Sequence, residues 1–132
     1  MFNKELHDMK ILIVDDDKVM LSVLSKKLKD KGYSVFTTSN GVESLRIISE
    51  DKIDLVISDV MMPCISGFTL ITMLKSFYFI NIPVILMSAC EQEKVILNSH
   101  GVESGSFFSK PIDFPKLFER IESCGHSKVQ MA

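Results

Sequence analysis

Residues 10–20 read KILIVDDDKVM: four apolar residues, Ile11 to Val14, run directly into Asp15, Asp16 and Asp17. The apolar run has the length and composition of a buried strand. Carboxylates packed at the end of such a strand repel one another and resist ionisation unless positive charge lies among them. The stretch therefore raises two questions, which sheet buries ILIV and which cation the aspartates face.

The flanking sequence answers the first. YSVFTT (33–38), IDLVIS (53–58), PVILM (83–87) and SFFS (106–109) are further short strand-like runs, and the first, third and fourth runs of the chain are nearly continuous in apolar residues, as in a parallel sheet covered on both faces. Helical patterns separate them. Met20, Leu21, Leu24 and Leu28 repeat at helical spacing and stop at Gly32. Asn40 with Glu43 has the spacing of a capping box opening a second helix through Val42, Leu45 and Ile48. A third helix is predicted over 67–77, a fourth over 91–99 closed by Gly101, and a fifth from about Asp113 to Ser123. Five strand-helix units in strict alternation predict an α/β fold, a right-handed, doubly wound five-stranded parallel sheet. The expected organisation is an arm over 1–9, one domain over 10–124 and a polar tail over 125–132.

In such a sheet the carboxyl ends of the strands share one edge, where ligands bind. Strand 1 delivers Asp15, Asp16 and Asp17 to it, strand 3 Asp59, strand 4 Ser88 and strand 5 Lys110. Converging carboxylates call for a divalent cation, and magnesium suits an all-oxygen set that leaves positions for water and phosphate oxygens. A lysine and a hydroxyl at the same edge supply the charge and donors that hold a phosphoryl group. The pattern reads as a magnesium and phosphate site.

Composition narrows the rest. Of 132 residues, 46% are hydrophobic and 24% charged, and the net charge is −2 with no concentrated basic run, which argues against nucleic acid or an anionic membrane as the main partner. Cys64, Cys90 and Cys124 form no C-x-x-C pair, so neither a zinc site nor a disulfide framework is expected, and a reducing compartment fits. The N-terminal stretch lacks the apolar core of a signal peptide; the expected location is cytoplasmic. His7, His100 and His126 read as solvated residues, and the apolar FYFI at 77–80 as loop packing or an added exposed hydrophobic contact.

ILIVDDD, DLVISDVMMP, VILMSA and FFSKPI, in this order, resemble the receiver domain of two-component response regulators, from about Lys10 to Ser123. The resemblance implies the flavodoxin-like strand order 2-1-3-4-5. It implies that Asp59 is the phosphoacceptor, taking a phosphoryl group from a histidine kinase or a histidine phosphotransfer protein, in a domain that is no turnover enzyme. Asp15 and Asp16 match the acidic pair that holds magnesium together with Asp59, and the Met61 backbone carbonyl matches a further protein ligand. Ser88 matches the switch hydroxyl and Lys110 the lysine before Pro111, whose peptide bond is cis in this family. Phe107 falls on the aromatic switch position and Gly67 on the glycine after the phosphorylation loop. Output is expected through the face of the fourth helix, strand 5 and the fifth helix, toward an effector that the sequence does not identify.

The chain departs from the commonest pattern at Ser66, where the family often has Asp, and at Met61 and Cys90, which follow the phosphoacceptor and the switch hydroxyl by two residues. Asp17, one past the matched pair, is read as a helix cap. Two other readings compete. IVDDDKV also resembles the signature of haloacid-dehalogenase-type phosphatases, with Asp15 as nucleophile and Asp17 as general acid, but that reading leaves Asp59 without a role and lacks an acidic pair after Lys110. An interaction module that works without phosphorylation is the other.

Overall fold

The computed structural model describes residues 8–62, 64–90 and 106–131, the last six as backbone alone. The predicted fourth helix, with His100, lies outside the described residues, as do His7 and most of the arm.

Five parallel strands, β1 (Lys10–Val14), β2 (Ser34–Thr38), β3 (Leu55–Asp59), β4 (Val84–Ser88) and β5 (Phe107–Ser109), form one sheet in the order β2-β1-β3-β4-β5. The helices are α1 (Lys18–Asp30), α2 (Gly41–Glu50), α3 (Gly67–Ser76) and α4 (Phe114–Met131), the last being the predicted fifth helix. Side chains alternate across a strand, and β1 shows how both faces are filled. Ile11 and Ile13 pack with Leu24 and Leu28 of α1 and Leu117 and Ile121 of α4, whereas Leu12 and Val14 pack with Leu45 and Ile48 of α2 and Leu70 and Leu74 of α3. Each fully buried aliphatic side chain here is worth about 1.5–3 kcal/mol of transfer free energy.

The register levels the carboxyl ends of the strands. Val14 lies opposite Ser58, Asp59 opposite Met87, and Ser88 opposite Ser109. Backbone bonds continue the pairing one step past the strands, from Asp15 N–H to the Thr38 carbonyl (3.2 Å), Val60 N–H to the Met87 carbonyl (2.9 Å) and Lys110 N–H to the Ser88 carbonyl (2.7 Å). Helix N-termini share this edge. Asp17 caps α1 by accepting from the N–H groups of Val19 and Met20, Ser66 caps α3 by accepting from Thr69, and Asp113 accepts from Lys116 at the start of α4.

Two expectations are corrected. The capping box of α2 is half formed: Asn40 accepts from Val42 and Glu43, but the Asn40 N–H donates to Thr38 Oγ1 and the Glu43 carboxylate pairs with Arg46. The last helix does not stop at Ser123. Cys124 packs against the core, Gly125 is buried, and the helix runs on to Met131. Of the two readings of FYFI, the exposed contact fits better than loop packing: only Ile80 joins the core, while Phe77 and Phe79 are 72% and 85% exposed.

Candidate functional site

Asp15 follows β1, Asp59 ends β3 and Lys110 follows β5; these positions are far apart in sequence and meet because the strand order brings them to one edge. The Lys110 ammonium lies 3.3 Å from Asp15 Oδ2 and 3.2 Å from Asp59 Oδ2. The other oxygen of each carboxylate accepts a backbone N–H, Asp15 Oδ1 from Asp17 at 2.9 Å and Asp59 Oδ1 from Met61 at 3.3 Å. Asp15 is fully buried, Asp59 nearly so, and Asp16 exposed; carboxylate oxygens of all three lie within 4.8 Å of one another.

The electrostatics follow from this packing. Burial is the largest influence on the Asp15 carboxyl and, with the charge of Asp59, raises it above its ordinary value against the lowering by the Asp17 N–H and Lys110. Burial works against the Lys110 ammonium too, but Asp59 and Asp15 outweigh it and hold its proton more tightly than usual. The lysine is thus a first answer to the cation question. A cluster of oxygen donors partly open through Asp16 also fits a hard divalent ion, which needs such ligands and room for water.

Ser88 is buried at the end of β4, where its hydroxyl accepts from the Cys90 N–H and donates to the Cys90 carbonyl, both at 3.0 Å. Met61 carries its N–H at Asp59, and its side chain is 67% exposed. Phe107 is buried among Val60, Phe68, Ile71 and Leu86, packed as a core residue. Gly67 allows close packing: a Cβ there would lie 2.9 Å from the Asp59 carbonyl oxygen and 2.8 Å from Leu86 Cδ2. The Lys110–Pro111 peptide bond is cis. Asp17 spends its side chain on capping α1, which removes the general acid that the phosphatase reading needs.

Sequence reasoning did not anticipate two contacts. The Asp17 N–H orients Asp15, and a backbone donor has no residue signature. Lys110 also reaches Asp15 as well as Asp59, a contact across 95 residues that depends on strand order.

A doubly wound sheet with three acidic groups and a lysine at its carboxyl edge defines a class of phosphoacceptor signalling domain, and the chain belongs to the response regulator receiver domain family, which matches residues 11–122. It is 36% identical over 114 residues to the transcriptional regulatory protein GlrR of Escherichia coli K12, an alignment covering 85% of this chain and 25% of GlrR. Among solved structures, the receiver domain of the Francisella response regulator 1452 superposes with a TM-score of 0.81 at 27% identity, covering 92% of this chain and 99% of that one. The receiver domain of the hybrid histidine kinase CckA gives a TM-score of 0.70 at 37% identity, over 86% of this chain and 96% of that one. The first curated relatives are longer: the chain spans 52% of the probable transcriptional regulator ycf29 of Pyropia yezoensis and 25% of GlrR. The chain is a phosphoacceptor signalling domain of the two-component type. None of the described helices is long and apolar enough to cross a membrane.

Proposed function

We propose that Asp59 is the residue that receives the phosphoryl group, from a phosphohistidine on a histidine kinase or histidine phosphotransfer protein. The observation that carries this is the Lys110 ammonium held between Asp59 and Asp15 at the shared strand edge. An Asp59 carboxylate oxygen attacks phosphorus, the bond from phosphorus to the imidazole nitrogen breaks, and the nitrogen keeps the electron pair. Lys110 then has phosphoryl oxygens as partners, and Ser88 donates its hydroxyl to them after leaving Cys90.

Asp15, Asp16 and Asp59, with the Met61 carbonyl, are the residues that would hold magnesium, which would neutralise charge on the transferring group. The reading extends to the rest of the chain. Residues 10–124 form the receiver unit, which modifies itself rather than turning over substrate. It works in the cytoplasm without nucleic acid or a membrane as partner, in keeping with the balanced net charge of −2. The signal leaves by rearrangement around Ser88 and Phe107 to an effector protein on the face that includes β5 and α4.

The test is intact-mass spectrometry after incubation with a small acyl phosphate and magnesium. One added phosphoryl group is expected on the parent chain and none on Asp59→Asn. Equal labelling of the variant would overturn the assignment.

A further inference from the structure

We propose that Ser58 is a positioning residue for the phosphoacceptor, its buried hydroxyl fixing the turn that aims the Asp59 carboxylate; the inference rests on reading Asp59 as the residue that is phosphorylated.

Ser58 stands where the strand pattern calls for an aliphatic side chain. It lies opposite Val14 in the register and shares a face with Val56, so its side chain enters the layer in which Leu12, Val14, Leu45 and Leu70 pack. Ser58 is fully buried there. A hydroxyl in such a layer opposes folding unless it is bonded. This one donates to the Asp59 carbonyl oxygen at 2.9 Å and lies 3.9 Å from Met62 Sδ, a weak acceptor.

The bond falls where the sheet stops holding the chain on one side. Pairing of β3 with β1 ends at Ser58 opposite Val14, whereas β4 continues, with Met87 opposite Asp59 and the Met87 carbonyl accepting from Val60. Past that point the chain turns so that the Met61 N–H comes back to Asp59 Oδ1 at 3.3 Å, and the Gly67 N–H bonds the Val60 carbonyl at 2.8 Å. The peptide plane between Asp59 and Val60 decides whether the Met61 N–H arrives, and the Ser58 hydroxyl holds the oxygen of that plane. Met62 packs against the same layer, so Ser58 meets both ends of the turn from 59 to 62. Buried Gly67 closes over the same carbonyl oxygen. A Cβ there would lie 2.9 Å from it, which leaves little room for a water to take the place of the hydroxyl. Being fully buried, Ser58 does not meet the phosphoryl donor, and its influence passes through Asp59.

The experiment compares Ser58→Thr with Ser58→Val in the whole chain. The two side chains share a branched shape and differ in a hydroxyl against a methyl group, so crowding strikes both alike. Labelling by acetyl phosphate and magnesium is timed by intact mass and located by peptide mapping, and the Met61 amide is followed by NMR, a local signal that a loss of global stability does not move. Ser58→Val should label on the order of tenfold more slowly than Ser58→Thr, with its Met61 amide displaced, while Ser58→Thr stays within about twofold of the parent. Equal rates in the two variants, with the parent labelled at Asp59, would overturn positioning by Ser58 and leave the phosphoacceptor standing. Slower labelling of Ser58→Val with the Met61 amide unmoved would overturn it too, because the turn would then be intact. A parent labelled elsewhere than Asp59, or not at all, would overturn the phosphoacceptor reading and the inference with it. If either branched variant fails to fold, Ser58→Ala replaces the pair: slower labelling with a displaced Met61 amide supports positioning by Ser58, and the parent's rate contradicts it.

Discussion

The Ser88 hydroxyl is held on both sides by the backbone of Cys90, accepting from its N–H and donating to its carbonyl at 3.0 Å each. A hydroxyl so engaged must give up that local turn before it can donate to a phosphoryl group on Asp59. Ser88→Ala should therefore still be phosphorylated but should not relay the event. Amide NMR spectra recorded with and without a phosphoryl analogue such as beryllofluoride should show shifts around Phe107 in the parent that are largely lost in the variant. Undiminished shifts would mean that Ser88 is not the link.

The phosphoryl group should be long-lived. Hydrolysis needs a water held in line with phosphorus, and the side chains at Met61 and Cys90, both exposed beside the site, are poor acceptors for orienting it. The double substitution Met61→Asn with Cys90→Glu should speed loss of the phosphoryl group by about tenfold. The rate is read by following the phosphorylated mass in magnesium buffer, and an unchanged or slower rate would remove these two side chains from control of the water.

Gly67 ties the helix packing to the phosphoacceptor. A methyl group at this position would meet the Asp59 carbonyl oxygen at 2.9 Å and Val60 Cα at 3.2 Å, atoms of backbone that cannot turn aside as a flexible side chain would. Gly67→Ala should cost about 1–3 kcal/mol in chemical denaturation and slow phosphorylation by displacing Asp59. A stability equal to that of the parent would show that β3 and α3 separate more easily than their packing indicates.

The acidic cluster also predicts a pH dependence in metal-free buffer. The folded chain holds the Asp15 proton above 3.8, where the unfolded chain has released it, mainly because burial disfavours the charge. Stability is consequently lost as the pH rises from 3.8 through the raised folded value. Asp15→Asn has no such proton to lose, so the parent should fall relative to the variant across that window, as measured by thermal unfolding. A constant difference between them would contradict the assignment of the cost to Asp15.

Much of this was legible in the sequence, for identifiable reasons. Strands buried on both faces, such as Ile11–Val14 and Leu55–Ser58, announce themselves as continuous apolar runs, and the polar residue after each marks the edge. The cap at Asp17 and the glycine ending α1 rest on local chemistry, and Gly32 does take a φ of 97°. What was not legible depends on partners distant in sequence. The reciprocal arm of the capping box failed because Thr38 and Arg46 offered competing partners. The last turns of α4 run past Ser123, where Cys124 packs against the core and Gly125 is buried, through a stretch that composition alone reads as a polar tail. Phe107 reads equally as a core or a switch residue, and its packing against Leu86 and Phe68 was settled by the sheet.

The central claim is that Asp59 carries the phosphoryl group, and its most direct test is to trap the acyl phosphate chemically. Borohydride reduces an aspartyl phosphate to homoserine, so reduction after acyl-phosphate treatment, followed by peptide sequencing in a mass spectrometer, reports the labelled position. The account predicts homoserine at position 59 and aspartate at positions 15, 16 and 17. Homoserine at position 15 would contradict it and favour the phosphatase-like use of the first strand end.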